Sequence, residues 1–379
     1  MSLLDDVSIV VTPNGYKAGE LYAVIPSDGA ADMDVTRATD ATRVDANGLI
    51  EQVLANVPRI DYTGGGCPHI LIEPQRTNTI AYSEDFSQSY WAKSGVTVSL
   101  ETTIKSPNGG YNAYKISSGT SGNLNRIAGV TGQTKSIFVR TVSGTGTIGV
   151  LSYNGGSAST QNITEEWQRF DVLANSGDTD GTTFFAVDFR NSTLTEVLIF
   201  GAQVENGLNA TSYIPTSGST VTRNQDIFTR DGIGSLINST EGVLFVEMAA
   251  LENVNDDERT VSLSDGTNVN TIRLQFNTLN NNVRVFVGNG VTQVNSNITI
   301  SDITVFNKFA FKYKQNDFAL WINGSEVITD TSGNTFAAGT LNKLGFVRGD
   351  NTEYLFGKVK QLQVFKTALT DSELATLTT

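Results

Sequence analysis

The chain has 379 residues, which at about 100–200 residues per domain predicts two or three domains. Its 39 acidic residues against 26 basic ones give a net charge of −13, which argues against nucleic-acid binding and against attachment to an anionic membrane. A single cysteine, Cys67, excludes an intramolecular disulfide, and a single histidine, His69, excludes most zinc sites and most histidine-based catalysis.

The first segment, residues 1–75, reads as short strands separated by turns. Its start is acidic and carries no signal-peptide pattern, so we expect synthesis and folding in the cytoplasm. The segment ends in a break at Gly64, Gly65 and Gly66, and it holds little apolar sequence for a core of its own. We therefore expect it to fold against copies of itself or a partner, and we expect the rest of the chain to fold without it.

The second segment, residues 76–222, carries many short strands at roughly ten-residue spacing, which is the pattern of a β-sandwich. Within it, Phe185, Val187 and Phe189 alternate as a core face would. The residues that alternate with them, Phe184, Asp188 and Arg190, are predicted to face outward.

The third segment, residues 223–379, alternates with period two and predicts a second sandwich. Ile272, Leu274 and Phe276 are assigned to the core face, with Arg273 and Gln275 opposite. Across the chain, Asn-Gly pairs at 47–48, 289–290 and 323–324 predict tight hairpins. The spacing of Thr370 and Glu373 predicts a capped terminal helix with Leu374 and Leu377 on its apolar side.

The chain also resembles known proteins along most of its length. Three stretches are similar to the N-terminal attachment region of fibre and spike proteins of tailed bacteriophages: TRATDATRVDANGLIE (36–51), PRIDY (58–62) and LIEPQRTN (71–78). Three more resemble the ends of a jelly-roll, carbohydrate-binding-module-like domain: YSEDF (82–86) leading to Trp91, FGAQVE (200–205) and YIPT (213–216). The last three resemble the laminin-G or concanavalin-A-like fold: LWING (320–324), GKV (357–359) and LTDSEL (369–374).

The predicted fold is therefore all-β, with an N-terminal attachment segment followed by a jelly-roll sandwich and a concanavalin-A-like sandwich. The resemblance implies a non-enzymatic virion fibre or spike that displays adhesion modules for glycans. It also implies a homotrimer that contacts other virion proteins through residues 1–75 and is released by lysis. We expect no nucleic-acid partner and no membrane insertion.

Candidate catalytic residues are scarce. A glycosidase needs two carboxylates about 5–9 Å apart, and no strand carries a Glu-x-Asp alternation. Glu247 has no acidic neighbour two residues away, and the acidic run at 256–258 reads as a solvated loop. We therefore predict no enzyme activity and no required cofactor. The loop 265–268 could offer oxygens to calcium, although such Asp-Gly-Asn loops usually only form turns.

One predicted binding face belongs to the second segment. Strand alternation groups Arg140, Tyr153, Phe184, Asp188 and Arg190 as outward residues, which could form a sugar platform, a subunit interface or an unremarkable surface. In the third segment, Trp321 lies opposite Leu320 and Ile322 and shares a face with Lys312. A glycan, an oligomer contact or cover from the same domain would each explain that tryptophan.

Two alternatives to the fibre remain open. The chain could be a secreted or surface-attached bacterial lectin or polysaccharide hydrolase with a concanavalin-A-like fold. It could also be a purely structural capsid fibre that binds no receptor.

Overall fold

The computed structural model describes residues 6–119, 121–130, 132–151, 160–174, 182–253 and 259–379. The chain forms two compact units, each built from separate stretches of sequence. Unit 1 comprises Met1–Asp40, Val53–Pro74 and Gln225–Thr379, and unit 2 comprises Ala41–Gln52 and Gln75–Asn224. The predicted all-β class is confirmed.

Unit 1 is one 16-stranded antiparallel sheet whose apolar side packs into a single core. In chain-order numbering its strands are β1 (Val7–Lys17), β2 (Glu20–Ile25), β3 (Met33–Thr36), β6 (Ile60–Asp61), β7 (His69–Ile72), β20 (Ile227–Arg230), β21 (Glu241–Ala250), β22 (Arg259–Ser264), β23 (Asn270–Phe276), β24 (Asn282–Asn289), β25 (Thr292–Thr299), β26 (Asn307–Lys314), β27 (Phe318–Ile322), β28 (Ser325–Asp330), β29 (Lys343–Gly345) and β30 (Gly357–Phe365). The strands β25 and β28 at the two ends of the sheet lie in contact.

Unit 2 is a sandwich of two five-stranded sheets, accompanied by two two-stranded sheets. Its strands are β4 (Ala41–Val44), β5 (Ile50–Val53), β8 (Arg76–Asn78), β9 (Ala92–Ser94), β10 (Thr97–Leu100), β11 (Tyr114–Ser117), β12 (Asn123–Val130), β13 (Gln133–Arg140), β14 (Gly146–Val150), β15 (Thr160–Ile163), β16 (Gln168–Leu173), β17 (Thr182–Asp188), β18 (Glu196–Asn206) and β19 (Val221–Arg223). One five-stranded sheet has the order β10-β11-β18-β13-β16 and the other β15-β14-β17-β12-β9. The two-stranded sheets are β4-β5 and β8-β19. Between them, Phe86, Trp91 and Phe185 form an aromatic centre of the core.

The local signals in the sequence are confirmed where they depend on neighbouring residues. Asn323 and Gly324 have φ of 48° and 84° between β27 and β28, as a primed turn requires. The terminal helix α1 (Asp371–Thr378) begins with the predicted capping box of Thr370 and Glu373, and Leu374 is buried. In the described residues, no helix is both long and apolar enough to cross a bilayer.

The N-terminal residues do not form a segment by themselves, contrary to the sequence-based division at residue 75. Strand β1 lies between β2 and β30, and Ile9 and Val11 are fully buried in the unit 1 core. Strand β3 pairs with β20 through Ile227 and Thr36. Removing residues 1–75 would therefore take away strands and core of unit 1, so the expectation that the remainder folds unaided is wrong for this unit.

A second difference concerns the polar side of β22 and β23. Arg273 and Gln275 face away from the apolar core as predicted, but both are buried. The chain after β29 covers them: Ser262 Oγ donates to the Val347 carbonyl at 2.6 Å, and Tyr354 bridges to Thr260. A local alternation pattern does not reveal this cover because it comes from residues about 80 positions away.

Buried charges hold unit 1 together at the points where the chain leaves it. Asp226 accepts from Arg37 Nη1 at 2.8 Å and from Arg59 Nη2, and Arg59 Nη1 also donates to Glu73 at 2.6 Å. Arg37 further donates to the carbonyls of Thr39, Val57 and Leu54. All four charged side chains are at most 4% exposed, so these contacts replace water. We call this set the Arg37–Arg59 network.

In unit 2, Asn78 has the corresponding role. Its Nδ2 donates to the carbonyls of Ala202 and Ile214, and its Oδ1 accepts from the N–H groups of Ile80 and Val204. The amide is fully buried and fully bonded, so it fixes β8 to β18.

We expect Asp226→Ala to lower the free energy of unfolding by about 3–5 kcal/mol, because it leaves two buried guanidinium groups short of their shared carboxylate. Equilibrium urea unfolding measures the change. The control is Asp231→Ala, which removes an exposed partner of Lys343 and should cost under about 1 kcal/mol. Equal losses in the two variants would show that the network is not a structural constraint.

The single histidine predicts a pH dependence. Burial lowers the pKa of His69 to about 4, with Asp61 opposing and Lys358 and Lys360 acting in the same direction as burial. In the unfolded chain His69 takes up a proton near pH 6.5, whereas in the folded chain it does so only near pH 4. The free energy of unfolding therefore falls as the pH drops from 6.5 to 4.

We expect His69 alone to reduce the free energy of unfolding by about 3 kcal/mol between pH 7 and pH 4. The measurement is the difference between the parent chain and His69→Gln in urea at a series of pH values, which cancels the titration of carboxylates. A difference that stays constant from pH 7 to pH 4 would contradict the prediction.

Candidate functional site

The candidate site lies on the outer face of the β15-β14-β17-β12-β9 sheet of unit 2. Along β17, Phe185 and Val187 point into the core, as predicted. Phe184, on the opposite side of the strand, is 39% exposed. Phe184, Arg190, Asn123 and Asn125 together line a pocket of about 270 Å³.

A fixed ion pair forms one wall of this pocket. Arg190 Nε lies 3.0 Å from Asp188 Oδ1 and its Nη2 lies 2.9 Å from Asp188 Oδ2, a two-point contact between planar groups. Burial raises the pKa of the Asp188 carboxyl, and the backbone N–H of Arg190 opposes that shift. Asp188 is only 1% exposed, so it orients Arg190 rather than reaching a ligand.

The strand beside β17 supplies amides. Asn123 is in register with Asp188 and Asn125 with Ala186, so both amides flank β17. Asn125 Nδ2 donates to Asn123 Oδ1. Among the described residues, the Asn123 amide nitrogen and the Asn125 amide oxygen have no other partner. The pocket therefore offers both a donor and an acceptor.

The aromatic corner of the pocket is held from inside the sandwich. Lys135, on β13 of the facing sheet, is fully buried, and its Nζ donates to the Phe184 carbonyl at 2.8 Å. Ile127, in register with Phe184 on β12, is 60% exposed and extends the apolar surface beside the ring. Sequence reasoning missed Lys135, since a lysine on the core side of a strand is ordinarily read as exposed.

The structure brings together only part of the predicted platform. Phe184, Asp188 and Arg190 do meet. Arg140 is on β13 in the other sheet, where its Nε donates to the Thr141 carbonyl and its guanidinium lies 6.0 Å from the Trp167 ring. The prediction that Arg140 shares a face with these residues is therefore wrong, because alternation gives the side of a strand on which a residue lies but not the sheet to which the strand belongs. Tyr153 lies outside the described residues.

Trp321 has the orientation that alternation predicts. Phe318, Leu320 and Ile322 belong to the main core of unit 1, and Trp321 belongs to the opposite side. There its ring packs with Phe245, Leu374 and Leu377 in a small apolar cluster that includes α1. Of the three predicted explanations, cover from the same domain accounts for most of the ring.

Carboxylates and metal ligands give a sparser picture. Glu247 accepts from Gln361 Nε2 at 3.0 Å and lies 3.6 Å from Lys360 Nζ. The acidic run at 256–258 lies outside the described residues. In the loop 265–268, burial would raise the pKa of Asp265, but hydrogen bonds from Thr267 and Asn270 outweigh it and lower the pKa. No three His, Cys, Asp or Glu side chains in the described ranges converge as a metal site. Calcium at this loop stays a prediction.

Comparison with known proteins adds a family match for part of the chain. Residues 249–375, within unit 1, match the model of the concanavalin A-like lectin/glucanases superfamily. No curated protein matches the chain. The predicted concanavalin-A-like fold of the last segment agrees with this match.

Solved structures with similarity to the chain include carbohydrate-binding modules. One is the CBM40 module of the Ruminococcus gnavus IT-sialidase bound to α2,3 sialyllactose, with 17% identity, TM-score 0.32, and coverage of 37% of this chain and 82% of that chain. Another is domain 4 of the arabinanase AbnA from Geobacillus stearothermophilus with arabinotriose, with 15% identity, TM-score 0.34, and coverage of 46% and 84%. A third is the Bacillus licheniformis β-glucanase, with 16% identity, TM-score 0.26, and coverage of 40% and 64%.

We expect Trp321→Ala to lower the free energy of unfolding by about 1–2 kcal/mol, because the ring is only partly buried against α1. Leu320→Ala, on the core side of the same strand, should cost about 2–5 kcal/mol. Urea unfolding of both variants provides the comparison. A larger loss for Trp321→Ala than for Leu320→Ala would contradict the assignment of the two faces.

Proposed function

We propose that this chain binds glycans without cleaving them, and that the pocket around Phe184 is a binding site. The observation that carries the proposal is an exposed aromatic ring next to amides and a fixed guanidinium, in a pocket of about 270 Å³. A sugar ring presents C–H groups on one face and hydroxyls at its edge. An aromatic side chain suits the first, and amide and guanidinium groups suit the second.

The rigidity of the pocket supports this proposal. Arg190 is already held by Asp188, and the backbone at Phe184 is already held by Lys135. A binding site whose side chains are fixed before the ligand arrives loses less conformational entropy on binding.

The arrangement of carboxylates supports binding rather than hydrolysis. A glycosidase needs one carboxyl as acid and another as base or nucleophile at the same sugar bond. In the Phe184 pocket the neighbouring carboxylate, Asp188, forms an ion pair with Arg190. On β21, Glu247 is occupied by Gln361 and Lys360.

The biological setting that we propose is a fibre or spike on the virion of a tailed bacteriophage. The support is the similarity of residues 36–51, 58–62 and 71–78 to the attachment region of such proteins. In this setting the chain is a homotrimer, its N-terminal residues contact other virion proteins, and three copies of a weak glycan site act together. The match of residues 249–375 to a lectin and glucanase superfamily also suits a bacterial lectin outside any virion.

We expect Phe184→Ala to weaken binding about tenfold or more to glycans that the parent chain retains on an array. The reason is the loss of the contact between the exposed part of the ring and the sugar, and tenfold corresponds to about 1.4 kcal/mol. The control is Tyr111→Ala, which removes another exposed aromatic of unit 2 that lies outside the pocket. Equal binding by Phe184→Ala and the parent would overturn the assignment of the site.

Two further measurements test the rest of the proposal. Release of reducing ends from a bound glycan, abolished by replacing one Asp or Glu, would overturn the proposal that the chain does not cleave glycans.

Mass spectrometry of purified phage particles tests whether the chain belongs to a virion, and light scattering on the isolated chain tests whether it is a trimer. A chain absent from every particle and secreted by a bacterium would favour the lectin instead.

A further inference from the structure

A second polar pocket lies within unit 1 and has a volume of about 620 Å³. Three parts of the unit meet there: the turn between β26 and β27, the start of β21, and the chain at 334–336. Its lining consists of Thr240, Glu241, Lys314, Gln315, Asn316, Asn334, Thr335 and Phe336. None of these residues takes part in the Phe184 pocket, which belongs to unit 2.

Hydrogen bonds to backbone groups fix the walls of this pocket. The Asn316 N–H donates to the Gly333 carbonyl at 3.0 Å, which ties the turn to the segment opposite. Thr335 Oγ1 donates to the Thr240 carbonyl at 2.8 Å, which ties that segment to β21. The Asn334 N–H donates to Gln293 Oε1 at 2.8 Å. The cleft is therefore a preformed feature of unit 1.

The charges in the pocket cancel. Lys314 Nζ lies 3.0 Å from Glu241 Oε2, and both side chains remain partly exposed. A ligand with a net negative charge would be attracted by Lys314 and repelled by Glu241 at nearly the same distance. A cation would be attracted by Glu241 and repelled by Lys314. The pair therefore favours an uncharged ligand that can bond to both partners.

Amides supply the remaining polar groups. Gln315 Nε2 donates to Asn334 Oδ1 at 3.3 Å. The side-chain amide of Asn316 makes no hydrogen bond within the described part of the chain, although its backbone is held at φ 59°. A primary amide offers donors and an acceptor together, which is what a sugar hydroxyl also offers. Phe336, which is 6% exposed and belongs to the core of unit 1, is the apolar residue of the same lining.

We propose that this pocket is a second saccharide site, specific for an uncharged oligosaccharide. It stands independently of the Phe184 pocket, because it lies in the other unit and rests on different residues. If both sites bind, one chain engages glycans through each of its units.

The test uses the full-length chain carrying Phe184→Ala, so that binding at the unit 2 site is weakened. In this background, Asn316→Gly removes the unused amide while keeping a residue that tolerates positive φ. The control is Asn351→Gly, another exposed asparagine of unit 1 with φ 60° that lies outside the pocket. Because Asn351 Oδ1 accepts from Lys343 Nζ, this variant loses one hydrogen bond that Asn316→Gly does not. Binding to an array of neutral and acidic oligosaccharides is followed by titration calorimetry on the neutral glycans retained, and melting temperatures monitor folding.

We expect the Phe184→Ala chain to bind at least one neutral oligosaccharide. Asn316→Gly should weaken that binding about 3- to 10-fold, and Asn351→Gly should leave it unchanged. Three results would overturn the proposal: no neutral glycan bound in the Phe184→Ala background, equal binding by Asn316→Gly and its parent, or stronger binding of acidic than neutral glycans. Because Phe184→Ala is present throughout, failure here leaves the unit 2 site to be judged by its own experiment.

Discussion

Unit 1 depends on the pairing of two buried arginines with two buried carboxylates in the Arg37–Arg59 network. Its members come from all three stretches of chain that form unit 1: Arg37 near the end of the first, Arg59 and Glu73 within the second, and Asp226 at the start of the third. An ion network of this kind stabilises less than an apolar core of equal volume. It discriminates strongly, however, because any arrangement of the strands that omits one member buries an unpaired charge. The network thereby selects which stretches of chain belong to unit 1.

The same residues show how much of the structure could be predicted from the sequence. Arg37, Arg59 and Glu73 lie in the stretches that resemble phage fibres, and the resemblance implied an attachment role for them. The structure gives them a place in the interior, which composition does not predict because arginine and glutamate are usually exposed. Fold class, the hairpin at Asn323 and the helix cap at Thr370 were predictable, since each depends on residues close in sequence. The insertion of β1 beside β30 was not, since no local pattern encodes a partner more than 300 residues away.

For the candidate site, too, the sequence predicted the features that depend on residues close in sequence and no others. Alternation along β17 correctly separated Phe184 from Phe185, and a spacing of two residues placed Arg190 within reach of Asp188. It could not tell that Arg140 is in the other sheet or that α1 packs on Trp321, because both depend on how strands and helix assemble. The buried lysine under Phe184 was equally hidden, as its partner is a backbone carbonyl across the sandwich. Both proposed sites thus combine side chains that local patterns expose with supports that only tertiary structure supplies.

The pairing of β1 with β30 has a consequence for biosynthesis. Ser8 Oγ donates to the Val364 carbonyl, a partner 356 positions along the chain. At roughly 5–20 residues per second, a ribosome needs on the order of 20–70 s to make the second partner after the first. Until β30 is made β1 has an unpaired edge, and by that time every residue of unit 2 has been made. Unit 1 is therefore completed after unit 2, although its strand β1 is made before any residue of unit 2.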